Sequence, residues 1–397
     1  MTTQNQFRKR DLLAAFALSA LAIWMAFRIV GVTDPSETDA TADWITVKAA
    51  FMKLDLFRDI HDLAEATGAV YESPGSELFA DEAIVNPRTP ASILLMSPMV
   101  LVEWEDVYFV VVGVSVAAFL VLITYALPRL CRVGVSDLFI PIFGVIVGLA
   151  YVENLHWGTV SIPIALLVTL TWNRVRSGRS TGVVLAVASA LKLYPGVMAI
   201  PLLLDRVTRR SGVVAALTFG LLNVGGAAIT GVSLGTSARM IQTGGSTWLT
   251  SVGNLSLPGV LSRFGLPSWV TYIVVAAGVL GLVAVSRSRP INQAIAFSLA
   301  LAVVISPLSW ISYDVLVLPV LMMLWCMRVH WKWGRQVVLL WILVNVAAVA
   351  NSLLFAFENV TLLILAARIG LVAAVLAVPV SLWKESESAP GFSPEHT

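Results

Sequence analysis

From residue 11 to residue 383 the chain returns repeatedly to apolar runs that approach or reach about 20 residues, the length that crosses roughly 30 Å of hydrocarbon. They fall at 11–31, 104–127, 137–152, 157–172, 181–204, 212–232, 269–286, 291–306, 314–327, 336–356 and 361–383. Of the 397 residues, 58% are hydrophobic and 13% charged, and mean hydropathy is +0.85. Soluble domains carry about 25% charge. The chain therefore reads as an all-α polytopic membrane protein with about 10–12 transmembrane helices. The first run follows basic residues, as a signal peptide does. It is too long for one and lacks a small-residue cleavage site, so it is expected to remain as the first span.

Lysine and arginine mark one side. They cluster as "RKR" at 8–10, Arg129 and Arg132, "NRVRSGR" at 173–179, "DRVTRR" at 205–210, "RSR" at 287–289, and Arg328, Lys332 and Arg335. The positive-inside rule assigns all of these to the cytoplasm. Only segment 181–204 breaks the alternation, with a basic loop at each end. Pro195, in "ALKLYPGV", would break a helix there. The segment is expected to fold as a re-entrant hairpin of two half-helices. Lys192 would then lie roughly 17 Å along the first arm at 1.5 Å per residue. Such broken backbone is tolerated only inside protein or beside a wet cavity.

The net charge of +2 is scattered over short loops, so the expected partner is the lipid bilayer, with no nucleic acid. Cys131 and Cys326 fall at or near cytoplasmic span ends. No disulfide and no metal site is expected from them. The tail from residue 384 to 397 is polar and expected to be disordered in the cytoplasm.

The outward stretches are about 32–103, about 233–268 and the short turn 306–314. The first holds about half of the chain's 24 carboxylates. From Asp43 through Asp62 to Leu63, residues Trp44, Val47, Phe51, Leu54, Phe57 and Leu63 recur at helical spacing, which predicts one helix with a single apolar face. It would lie in the membrane interface. Lys48, Asp55, Arg58, Asp59 and Asp62 form the opposite, solvated face. Asp43 opens this helix close to headgroup level. A carboxylate there suits a helix N-cap or a base that takes a proton from a hydroxyl, and the pattern leaves both open. Of the tryptophans near this boundary (Trp44, Trp104, Trp157, Trp248, Trp269 and Trp310), most are expected to be belt anchors.

Four stretches carry a resemblance: "ADWITVKAAFMKLDLFRDIHDL", "NPRTPASILLMSPMVLV", "GRSTGVVLAVASALKLYPGVMAIPLLL" and "SPLSWISYDVLVLPVL". In this order they resemble the GT-C superfamily of polyprenyl-phosphate-sugar-dependent glycosyltransferases. More narrowly they resemble glycosyltransferase family 87, which includes actinobacterial mannosyltransferases. The chain departs from the family in places. Thr159 and Ser161 stand where many members have a "GQxN" pair, "NLSL" at 254–257 replaces "NQSL", and Ile311 to Asp314 follow "SPLSW" where many members carry histidine.

The resemblance implies a single GT-C-type bundle over 1–383, with an active site outside the plasma membrane. It implies an inverting transfer of a sugar, mannose being the family's expectation. The donor is a polyprenyl-phosphate sugar and the acceptor a glycolipid or glycan hydroxyl. Asp43 matches the family's catalytic aspartate. Lys192 is an intramembrane cation, costly unless paired or employed. With the outward-facing Arg88 and Arg263 it is a candidate for the donor phosphate. Trp44, Tyr194, His156, Tyr313, Asp314 and Asn254 are candidates for substrate contacts. No cofactor is expected, and no spaced histidine and carboxylate set suggests a metal. The competing reading is a lipid-linked-sugar flippase or a secondary transporter, since broken helices with buried charge also mark transporters. Against it stand the absence of an internal repeat and the acidic outer helix, which transport does not need.

Overall fold

The computed structural model describes residues 3–72, 85–249, 251, 254–327, 331, 333–352 and 357–388, and among them all regular structure is helical. In chain order the helices are α1 (Thr3–Val30), α2 (Asp39–Phe51), α3 (Ile60–Thr67), α4 (Pro90–Met96), α5 (Trp104–Val121), α6 (Leu127–Cys131), α7 (Phe139–Ile146), α8 (Leu149–His156), α9 (Ser161–Arg176) and α10 (Gly182–Leu191). They continue as α11 (Ala199–Leu204), α12 (Arg209–Thr230), α13 (Leu234–Leu249), α14 (Leu257–Arg263), α15 (Trp269–Ser288), α16 (Ile291–Ile305), α17 (Leu318–Cys326), α18 (Trp333–Ser352), α19 (Phe357–Ala377) and α20 (Val380–Ser388). Short 3-10 turns at Tyr194–Met198 and Ile311–Val317 matter for the site.

Among the described residues, four helices are long and apolar enough to cross a bilayer: Lys9–Val30, Trp104–Cys131, Arg209–Thr230 and Trp269–Ser288. Shorter apolar helices occupy the later expected spans. Trp104–Cys131 combines α5 and α6 through one π turn, Leu122–Ala126. That turn lies just before Pro128, whose ring cannot accept the regular i−4 geometry, and the widened turn absorbs the misfit. Nearly every residue of α16 is buried, which makes it the centre of the bundle. In contrast, α15 exposes Trp269, Tyr272, Ile273 and Leu280, and α12 exposes Leu217, Leu221 and Val224. Helices apolar all round with such open faces meet lipid. The chain is an all-α polytopic membrane protein.

The expected hairpin is present. A Cβ on Gly182, at the start of α10, would lie 2.6 Å from the Ala215 nitrogen, and one on Gly212 would lie 2.8 Å from the Leu203 nitrogen, at the end of α11. Both ends of segment 182–204 thus meet the first turns of α12. Its apex meets the other end. Thr89 Oγ1 donates to Ala190 O at 3.4 Å, and the adjoining Ala91 N donates to Asn223 Oδ1 on α12 at 3.4 Å. Small residues allow this close packing.

The basic loops gather at one end. Asp11 accepts from Ser136 N and Oγ at 3.0 and 2.7 Å, Arg176 Nη1 donates to Leu130 O, and Trp325 Nε1 donates to Asp137 O at 2.9 Å. Arg328 and Lys332 lie outside the described residues.

Three expectations need correction. The stretch from Asp43 to Asp62 is not one helix. Its first part, α2, is capped by Thr38 and ends at Lys53, which takes the left-handed conformation (φ 59°). Lys53 N and Leu54 N return to Ala50 O and Ala49 O, both at 3.0 Å. That is a Schellman ending, usually built on glycine. Asp59 then caps α3. Nor is α2 interfacial with one wet face, since most of its residues are buried, although Phe51, assigned to the apolar face, is exposed. The span at 137–152 is a pair, α7 and α8, bent by 57°. Gly148 lies at that break, where a Cβ would meet the Gly144 carbonyl oxygen at 2.8 Å. Finally, the last run breaks at Pro379, and α20 carries helix on to Ser388, into the stretch expected to be disordered. The rest of that tail, 389–397, lies outside the described residues.

Candidate active site

Four pieces of chain converge at the end opposite the basic loops. The first is α2. Thr38 Oγ1 accepts from Thr41 N at 3.3 Å and fixes the helix start. Asp39 then occupies the first turn and Asp43 the next, one above the other on the same face. Their surroundings differ. Asp43 is only 3% exposed, whereas the Asp39 side chain is open to solvent.

The second piece is the extended segment 85–89. Pro87 and Pro90 force the residues before them, Asn86 and Thr89, out of helical conformation. Arg88 is presented between them. Its Nε donates to Asp43 Oδ1 at 2.8 Å, and its Nη2 pairs with the same oxygen. Asn86 Nδ2 donates there too, at 3.0 Å, and to Thr46 Oγ1 at 3.1 Å. On the far side, Ser237 of α13 donates to Arg88 O at 3.0 Å and holds the segment down.

The third piece is the hairpin apex. Lys192 leaves α10 in extended conformation. Its Nζ donates to Ser161 Oγ at the start of α9, at 3.0 Å. The fourth piece is the turn Ile311–Val317. It places the Tyr313 ring 4.1 Å from Lys192 Nζ, a cation–π contact. Tyr194 packs on Tyr313 with ring centroids 4.7 Å apart.

Arg88, Lys192, Tyr194 and Tyr313 are all half-buried, and the partly open ground between them and the α2 carboxylates is the candidate recess. Asp39 is ringed by protein atoms yet reachable by water, as befits a group on the recess wall. Burial among those atoms, and then the Asp43 charge, raise its pKa from 3.8 to about 6, with Lys192 and Arg88 opposing. For Arg88, burial works against the charge, but Asp43 and then Asp39 and Tyr313 outweigh it and raise its pKa. Chemically, the recess offers two cations suited to a phosphate and two carboxylates suited to receiving a proton.

Other expected site residues are placed elsewhere. Trp44 is buried and donates to Val102 O at 3.1 Å, anchoring α2. Asn254 is wholly buried and ties loops together, donating to Pro307 O at 2.8 Å and accepting from Ser309 N at 3.1 Å. Asp314 neither caps a helix nor faces the recess. It is fully buried against Arg368 of α19, Nη2 to Oδ1 2.7 Å. Arg263 donates to the carbonyls of Ser251 and Asn254. His156 Nδ1 contacts Thr33 Oγ1 at 3.1 Å beyond α1, and its ring meets Trp157 edge-on. Trp157 in turn bonds Glu153 and, through its carbonyl, Ala40 N at 3.4 Å.

Asp39, Asn86 and Ser161 join the recess without having been expected there. Asp39 was findable as the residue four before Asp43, and Asn86 as part of "NPRTP". An apolar groove of about 330 Å³ opens elsewhere, between α14, α15, α16 and α19, lined by residues such as Leu257, Gly278, Leu301, Ile305 and Val372. One of its lining residues, Ile305, ends α16, and residues 306–310 lead from there to the turn that carries Tyr313.

No curated protein matches the chain. A family model does, over residues 89–308, more than half of its length. The match begins one residue after Arg88 and takes in the hairpin with Lys192, while α2 lies before it. On this match the chain belongs to glycosyltransferase family 87.

Proposed function

We propose that this membrane glycosyltransferase moves a sugar, mannose in the first instance, from a polyprenyl-phosphate donor to a hydroxyl of a glycolipid or glycan, with inversion. The observation that carries the reading is the meeting of α2 carboxylates with Arg88 and Lys192 at the end away from the basic loops. By the positive-inside rule that end faces outward across the plasma membrane.

Lys192 and Arg88 hold the donor phosphate and stabilise the charge it gains on leaving. Asp43 is the base. As the acceptor oxygen attacks the sugar's anomeric carbon, its proton passes to Asp43, and the carbon–oxygen bond to phosphate breaks with its electron pair going to phosphate. Arg88 rests on Asp43 in the free protein. An arriving phosphate shares that guanidinium and so couples donor binding to release of the base. The apolar groove between α14, α15, α16 and α19 suits the donor's hydrocarbon tail.

The test is transfer by purified protein in lipid nanodiscs, with radiolabelled polyprenyl-phosphate mannose as donor and a total lipid extract of native membranes as acceptor. Label appearing in an acceptor product supports the reading. Intact donor carried across a proteoliposome membrane without cleavage would replace it with a transport function.

A further inference from the structure

Base catalysis leaves a difficulty at this site. Once Asp43 has taken a proton it must lose it before the next turnover. Asp43 is 3% exposed, and its Oδ1 is occupied by Arg88 and Asn86. It has little direct access to water. Asp39 does have access. It lies one helical turn away on the same face of α2, where side chains four residues apart have Cβ atoms about 5–6 Å apart, and it is open to solvent.

We propose that Asp39 is a second catalytic carboxylate, taking the acceptor's proton onward from Asp43 and releasing it to the water of the recess. The proposal rests on the glycosyl-transfer reading above. The proton balance closes: the acceptor O–H breaks, the proton passes through Asp43 to Asp39, and Asp39 gives it to water or buffer. The leaving polyprenyl phosphate keeps the electron pair of the broken bond.

The charged surroundings of Asp39 fit a transient proton carrier. Asp43 faces it from its own helix, Lys192 from the hairpin apex, Arg88 from segment 85–89, and Tyr313 and Glu153 from the turn and from α8. Burial and Asp43 bring its pKa to about 6, where a group accepts a proton readily and returns it near neutrality. A carboxylate kept only to favour the positive end of α2 would need neither the recess nor these partners.

The test uses the full chain in nanodiscs, with polyprenyl-phosphate mannose and the native lipid extract, and measures kcat and donor KM against pH and against imidazole concentration. Asp39→Asn should lower kcat by about 100-fold, the low end for a proton-transferring side chain, and leave donor KM unchanged. Rising imidazole should restore its rate, because a diffusing base can replace the missing carrier. The acid limb of the pH profile should also lose the contribution that titrates near pH 6. A wild-type rate in Asp39→Asn overturns the proposal, as does a lost rate that imidazole does not restore. If Asp39→Asn does not fold, Asp39→Glu decides: it should turn over without needing imidazole, and dependence on imidazole overturns the relay. A wild-type protein that transfers no sugar removes the parent reading and the relay together. Transfer that survives in wild type but shows no role for Asp39 removes the relay alone.

Discussion

Arg368 and Asp314 form an ion pair closed to solvent, with both side chains fully buried and Nη2 2.7 Å from Oδ1. Arg368 also donates to Leu255 O, Val303 O, Ser309 Oγ and Trp310 O. One guanidinium thus ties α19 to the loop before α14, to α16 and to the turn that carries Tyr313. Removing one partner leaves an uncompensated buried charge. Arg368→Met should destabilise by about 3–5 kcal/mol. The double variant Arg368→Met with Asp314→Asn should recover part of that loss. Denaturation midpoints in nanodiscs measure both, and a double variant no more stable than the single one would show that the cost lies in the lost carbonyl contacts.

Lys192 should act on the donor alone. A hydrogen bond to a charged group contributes about 1.5–3 kcal/mol, so Lys192→Met should weaken donor binding by roughly 10- to 100-fold with little change for the acceptor. Isothermal titration with polyprenyl-phosphate mannose reads this directly. An unchanged donor affinity would leave Lys192 as a strut between Ser161 and Tyr313.

Asp43→Asn should cost about 100- to 10,000-fold in single-turnover transfer, with donor affinity nearly kept, because asparagine preserves the shape. Asp55→Asn, on an exposed turn, should be neutral. Equal losses in the two variants would point to the fold of this region and away from one carboxylate.

Stability should carry a signature of Asp39. Its pKa is raised in the folded protein from 3.8 to about 6, so within that window the folded state holds a proton that the unfolded chain has released. The resulting stabilisation is fully present below the window and lost as pH rises through it. Asp39→Asn lacks the dependence. Its thermal midpoint should gain on the wild type as pH climbs through the window, then keep a constant lead. Parallel curves for the two proteins would contradict the raised value.

The hairpin makes a topological prediction. In a background lacking Cys131 and Cys326, cysteines placed at Ser180 and Val207, both exposed, should react with an impermeant maleimide from the same, cytoplasmic side. Reaction from opposite sides would make 182–204 an ordinary span.

The hairpin was legible because two independent signals disagreed with a simple span: basic residues at both ends and Pro195 inside. The break in α2 was not. Its ending uses a left-handed lysine at position 53, and no glycine or proline announces it. The bend at Gly148 was hidden inside a continuous apolar run. Lys192 stood out as a lone intramembrane charge. Arg368, by the same criterion, was equally visible in "LAARIGLV", but its partner Asp314 lies 54 residues earlier and was read as a candidate substrate contact. Asp39 was passed over for a different reason, since the helix was expected to open at Asp43 and begins at Asp39. An acidic residue in the first turn of a helix has a ready explanation in the helix dipole, and only the recess around it sets it apart.

The hairpin also turns chain length into position. The first arm, α10, has 10 residues, about 15 Å of helix, and it starts from a basic loop fixed at the membrane surface. The height of the Lys192 charge is therefore metered by residue count between that loop and the proline. Adding one turn to each arm would raise the ammonium by about 5.4 Å and carry it past Ser161 and the α2 carboxylates, with every side chain of the site unchanged. In this fold, where a phosphate can be gripped is a matter of measurement along the chain as much as of which residue does the gripping.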